Sequence, residues 1–417
     1  MNEVMAIWAE WLRPSAGLPT VQWSVLLAVA AAVGHLVQRH TGVPKVVGYS
    51  MTGALAGLAG FSSGAWPTGG IAQFLLELGV AVVLFEAGGR LSLRWFRHNP
   101  MVLLQSLSEA ALAALLVYYA LRWLGVSHAV AEAIGLVSMS ASPAVLSRVV
   151  MDTRASGPVT ERALTLSTLS ALYALTLVNA RAGVMHYAST ELGDTLFPVL
   201  VVLGVSFVVG GVLALVLRVA LRFMSPTSEN TSMLLIASIA AATTLASHFG
   251  GSAPLAALLA GLMLKLLHPR PWAWPRQLGT ASSLLAMLMF VLVSVVAAKA
   301  PWSHGVVGVV GTVVIARGAA KIAGVSIANW GSGTSLRQAF WTGCTLSPMS
   351  AVALLMVSQF AMTAPDIGPA ISSIALPAIL LMEVLGAMIA TFALHRARET
   401  SLADAPEGPA AVRHARG

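Results

Sequence analysis

Apolar runs long enough to cross a bilayer recur along the chain, separated by short polar or basic connections, and stretches such as 231–247 and 278–298 hold no charged residue. A helix crossing hydrocarbon needs about 20 apolar residues. The pattern predicts thirteen spans, at 22–39, 45–60, 70–89, 101–124, 128–150, 161–185, 196–222, 231–249, 253–268, 278–299, 303–328, 336–361 and 368–395. Two are interrupted by the same step: Ser142-Pro143 within Gly135–Leu146, and Ser347-Pro348 within Gly343–Leu354. Proline removes a backbone donor and clashes with the preceding turn. In lipid, the freed backbone groups survive only where they line a cavity or are buried in protein. A matched pair of broken helices is the sequence pointer to a transporter's binding site. The spans divide as six, one and six, with a break in the fifth span of each half, and the single crossing span inverts the second half relative to the first. The division expected is an N-terminal segment 1–21, a first repeat 22–189, a linker helix 190–224, a second repeat 225–396 and a disordered tail 397–417. Gly204, Gly210 and Gly211 suit a tilted linker packed through small residues.

Composition narrows the class. The chain is 57% hydrophobic and 10% charged with a mean hydropathy of +0.82, against about 25% charged residues in soluble domains. The fold class is therefore an all-α polytopic membrane protein. A net charge of +8 would point to nucleic acid in a soluble chain, but its distribution points to topology. Of the 24 Lys and Arg, 4 (Arg13, Arg122, Arg181, Lys299) fall on the face shared with the N-terminus, 18 on the other, and Arg317 and Lys321 lie inside a span. The positive-inside rule places the N-terminus outside and the C-terminus in the cytoplasm of a cell (inner or plasma) membrane. The first 21 residues, with Trp8, Glu10, Trp11 and two prolines, do not read as a signal peptide. The single cysteine, Cys344, excludes a disulfide framework and a cysteine-built metal site. Gly331-Ser-Gly333 lacks the strand and helix context of a nucleotide site, and no catalytic motif is present. No cofactor and no enzyme activity are expected.

Ionisable residues inside spans carry the candidate chemistry. Arg317 and Lys321 are four apart, on one helix face. They can neutralise helix C-termini or carboxylates at the breaks, or contact substrate; alternatively Lys321 snorkels from the span's end. The acidic candidates are Glu77 and Glu86 in the third span, Glu109 in the fourth and Glu383 in the thirteenth. Glu109 and Glu383 sit among small and apolar residues, as a buried titrating group would, or as a Glu paired with Arg317 or Lys321. Glu86, just before Arg90, Arg94 and Arg97, reads as interfacial. Ser167, Ser170 and Tyr173, with Thr168, Thr176 and Asn179 nearby, make a hydroxyl stripe that lines a polar path or helps helices pack. His35, His128 and His248 are isolated and read as packing or interfacial residues.

Several segments in order resemble the monovalent cation:proton antiporter superfamily: Val43–Gly53, Leu76–Gly88, Phe249–Gly261, Arg317–Gly324 and Leu346–Ala353. The resemblance implies about thirteen helices, inverted repeats with two crossed discontinuous helices, a homodimer, and an elevator-like exchange of a monovalent cation (Na⁺ or K⁺) for protons. It places the ion path at Ser142, Pro143, Ser170, Tyr173, Ser347 and Pro348. Two departures follow. The acid that the superfamily carries beside the first proline is here Ser142, and the acidic dipeptide of the next helix is here Ser170-Ala171. Hydroxyls and unwound carbonyls can ligate a cation but cannot carry the proton. In an exchanger, Glu77, Glu109 or Glu383 must therefore titrate, Glu109 or Glu383 being favoured. Two other readings remain: a carrier of an anion or small organic solute on this scaffold, and a non-transporting scaffold protein.

Overall fold

Every element among the described residues is helical; the computed structural model describes 21–61, 66, 70–91, 96, 99–187, 192–225, 228–267, 276–300, 302 and 304–400. The order is α1 (Val21–Thr41), α2 (Lys45–Leu58), α3 (Gly70–Arg90), α4 (Met101–Trp123), α5 (His128–Met139), α6 (Pro143–Thr153), α7 (Pro158–Tyr187) and α8 (Leu192–Phe223). Then follow α9 (Glu229–His248), α10 (Ala253–Leu267), α11 (Arg276–Ala298), α12 (His304–Ile327), α13 (Leu336–Thr345), α14 (Ala351–Thr363) and α15 (Gly368–Arg396). Among the described residues nine spans are long and apolar enough to cross a membrane, one of them running through the first break. Thirteen were expected. Part of the difference lies in short elements, α2, α10, α13 and α14, which fall below a membrane-crossing length when taken singly.

The packing partners repeat when the two halves are exchanged. α2 packs on α11 as α10 packs on α3; α4 on α5 as α12 on α13; α7 on α13 and α14 as α15 on α5 and α6. α4 and α12 pack directly on each other, and α8 leans on α7, α9 and α10. Burial follows this plan. In the span over 128–153, 83% of the most apolar window is buried, against 22% in Val199–Phe223, which turns Phe207, Val208 and Val212 outward. The broken helices sit at the centre and α8 at the periphery.

Two close approaches position the centre. A side chain at Gly53 or Gly57 of α2 would run into the Val291 or Val295 carbonyl, so α2 and α11 touch backbone to backbone. On α15, Gly386 lies against the Pro348 backbone at the second break. Small residues are what permit such contact between membrane helices.

Polar bonds fasten one end of the bundle. Asp152, near the end of α6, accepts from the Lys45 N–H at the start of α2 (2.9 Å), and Arg148 donates to Ser283 of α11 (3.0 Å). Arg162 of α7 donates to Gln105 of α4 (2.8 Å) and to the Ser332 carbonyl (3.1 Å) in the connection between α12 and α13. Of the tail expected to be disordered, 397–400 are among the described residues and 401–417 lie outside them. Glu399 accepts from the Val159 and Thr160 N–H groups (2.8 Å each) and the Thr160 hydroxyl (2.7 Å), while its carbonyl takes the Ser156 N–H (2.9 Å). A carboxylate there meets the unpaired amides and positive end of α7. Glu399→Ala should lower stability by about 1 kcal/mol, the usual worth of a helix cap, read as a small drop in Tm with the fold retained.

Candidate functional site

Why the first break forms is visible in its local chemistry. Pro143, which has no N–H to lose at a helix start, opens α6, and the Ser142 hydroxyl caps it by accepting from the Val145 N–H (3.3 Å). Ser140 and Ser142 are extended, so the carbonyls in the last turn of α5 lose their helical partners. In the second half, α13 ends at Thr345 and α14 begins at Ala351, with Ser347-Pro348 between. The two breaks meet: the Ser142 N–H donates to the Pro348 carbonyl (2.9 Å).

Arg317, fully buried on α12, holds both breaks. Its Nε donates to the Ser138 carbonyl (3.1 Å), Nη1 to Ser347 (2.5 Å), and Nη2 is shared among Ser140 (2.6 Å), Pro348 (3.3 Å) and Leu346 (3.4 Å). The planar five-donor guanidinium suits this cluster of carbonyls, and positive charge is favoured where two helix C-termini converge. Lys321, one turn on, donates to the Met139 carbonyl (2.5 Å) and forms an ion pair with Glu109 of α4. Lys321 and Glu109 are both fully buried. The snorkelling alternative for Lys321 is thereby overturned, because the side chain turns inward to a carboxylate and a freed carbonyl.

Glu383 of α15 is also fully buried, with a different environment. Ser50 of α2 donates to Oε1 (2.5 Å), Ser294 of α11 to the same oxygen (3.3 Å), and Ser350, at the start of α14, to Oε2 (2.8 Å). Among the described residues Glu109 and Glu383 are the buried acids, and only Glu109 has a cationic partner.

The other sequence candidates fall elsewhere. Glu77 is half-buried, accepting from Gln73 (2.8 Å) and from Ser247 of α9 (3.3 Å), and takes no part in the crossing. Glu86 pairs with Arg90 (2.5 Å). It lines a cavity of about 450 Å³ that also touches Pro143, Ser147, Glu161, Thr168 and Lys265. Its interfacial reading is thus extended: this opening reaches the first break. Of the hydroxyl stripe, Ser170 alone joins the break, accepting from the Ala141 N–H (3.2 Å) and donating to the Ser167 carbonyl (3.1 Å). Ser167 and Thr168 bond back to Leu164, and Tyr173 packs half-buried on the apolar core. Ser142 and Ser170 therefore serve as backbone caps at the positions where the resemblance expects carboxylates. His128 meets Tyr118 (2.9 Å), and among the described residues no His, Cys, Asp or Glu cluster could hold a metal.

Sequence reasoning missed Ser50, Ser294 and Ser350. The available signal was weak: Ser294 is an isolated hydroxyl in an apolar run, and Ser350 follows the second break by two residues.

The profile of the family described as "Sodium/hydrogen exchanger, transmembrane" matches residues 25–396. No curated protein matches the chain. Its fold is similar to that of the sodium proton antiporter MjNhaP1 from Methanocaldococcus jannaschii. The pH 8 structure of that protein gives a TM-score of 0.64 at 16% identity, covering 89% of this chain and 97% of the other. A second structure of the same antiporter, an electron-microscopy map, gives 0.69 at 14% identity, covering 90% and 97%.

Proposed function

The chain belongs to the sodium/hydrogen exchanger family, and from that premise we propose that it exchanges a monovalent cation, Na⁺ or K⁺, for protons by alternating access, with Glu383 as the titrating carboxyl. The observation that carries this reading is the difference between the two buried acids. Glu109 is held by Lys321, whereas Glu383 meets hydroxyls alone. Hydroxyls can donate to a carboxylate or accept from a carboxylic acid, so this environment accommodates both protonation states. An ionised carboxylate buried without a cation is costly, which favours binding of either a proton or a cation. The reading of an anion carrier needs free positive charge at the crossing, and Arg317 and Lys321 are both engaged.

The exchanged packing partners support the division into repeats 22–189 and 225–396 joined by the linker 190–224. With the C-terminal side cytoplasmic, the cavity at Glu86, Glu161 and Pro143 opens from the cytoplasm toward the first break. A homodimer embedded in the cell membrane, N-terminus outside, completes the proposal.

The test is exchange in proteoliposomes. The intact protein should dissipate an imposed pH gradient when Na⁺, K⁺ or Li⁺ is added between pH 6 and 9, and Glu383→Gln should not, while keeping its elution profile. Acid should slow exchange, since a protonated carboxyl excludes the cation. Absence of any cation response in the unmodified protein would sink the proposal.

A further inference from the structure

We infer that Glu383, Ser50, Ser294 and Ser350 together ligate the transported monovalent cation, placing the cargo at the second break and not at the first, where the family resemblance directs attention. The inference rests on the exchange reading above.

Four side chains from four separate stretches of sequence converge on one point. Ser50 and Glu383 are 333 residues apart, Ser294 and Glu383 89, and Ser350 and Glu383 33. The set comprises one carboxylate and three hydroxyl oxygens, all fully or almost fully buried. Hard cations take oxygen ligands of this kind. A serine hydroxyl carries one donor and two acceptor lone pairs. Each hydroxyl that now donates to Glu383 can therefore turn its hydrogen away and offer a lone pair to an ion. No sulfur or imidazole joins the set, which excludes the softer ligand chemistry of transition metals. The oxygens already lie within hydrogen-bond distance of the carboxylate, so the smaller Li⁺ and Na⁺ require less spreading of the helices than K⁺.

Charges on the neighbouring helices leave the point free. α12 carries Arg317 and Lys321, committed to the crossing; α6 carries Arg148 and Asp152, committed to α11 and α2; α5 carries Glu132, paired with Arg181 (2.7 Å). Arg337 of α13 is exposed. The cation would thus be neutralised by Glu383 alone. The backbone contact of α2 with α11 at Gly53 and Gly57 holds Ser50 and Ser294 side by side. Meanwhile Gly386 keeps α15 against the break that presents Ser350. Two of the ligands come from α2 and α11, and two from α15 and the second break. Displacing one pair of elements against the other therefore opens the site.

The experiment compares Ser50→Ala/Ser294→Ala with Glu383→Gln in reconstituted full-length protein, measuring exchange KM for Li⁺, Na⁺ and K⁺ and the pH profile. We expect the double variant to raise the KM for Li⁺ and Na⁺ about tenfold or more and to change the order of preference among the three ions. Ser294→Thr, which keeps a hydroxyl, should lose less than Ser294→Ala. A folded double variant with unchanged KM and selectivity overturns the ligand set while leaving Glu383 as the titrating group. A shifted pH profile with unchanged ion KM does the same, because the hydroxyls then act on the proton alone. Full exchange by Glu383→Gln overturns both this inference and the titrating role.

Discussion

Arg317→Met should abolish the folded crossing. The guanidinium engages five backbone carbonyls, of Ser138, Ser140, Leu346, Ser347 and Pro348, all buried inside the protein. A buried polar group left unmet costs about 1–3 kcal/mol, so losing even three partners costs on the order of 5 kcal/mol. That is comparable with the whole stability of many domains, about 5–15 kcal/mol. The expected result is loss of the monodisperse elution peak after detergent extraction. Arg317→Lys should fall between, because a single ammonium cannot span both breaks as a planar fork does. A methionine variant with the parent's Tm would show that the carbonyls find other partners.

Lys321→Met comes second. It leaves the Glu109 carboxylate fully buried without its paired cation. Breaking a buried pair from one side costs about 3–5 kcal/mol, whereas replacing both partners with apolar residues of similar volume is often neutral. The double variant Lys321→Met/Glu109→Leu should therefore regain most of the Tm lost by the single change. It should also retain exchange, since on the present assignment the pair is structural. Exchange lost in a fully stable double variant would return Glu109 to the mechanism and weaken the assignment to Glu383.

Both breaks were legible in the sequence because proline and small residues act locally, through geometry that needs no partner. Arg317 and Lys321 stood out for a similar reason, since charge inside an apolar run is conspicuous. What they hold was not legible. Glu109 and Glu383 have the same kind of flanking sequence, and they are distinguished by partners that a linear reading cannot rotate into place. Lys321 lies 212 residues from Glu109, and Ser50 lies 333 from Glu383. The start of the tail holds a contact that its composition does not announce. Its proline-rich composition reads as disorder, but its opening residues carry the carboxylate that α7 needs at its first turn. The serines at 142 and 170 looked like absences of charge, and in the structure they have a positive role, capping the backbone at the first break.

The connection 154–157 is clamped on both sides. Asp152 just before it is fastened to the start of α2, and the first turn of the helix just after it is fastened by Glu399. In the alternating access proposed above, such a segment would serve as a pivot, letting a helix swing while its own end stays put. α7 has 30 residues, about 45 Å of helix at about 1.5 Å per residue. A swing of about five degrees about the clamped end would carry the far end through about 4 Å at that length. Motion of α7 in that cycle would be smallest beside the clamps and grow along its length, passing Ser170 on the way, so the two faces of the membrane would see unequal displacements of the same helix.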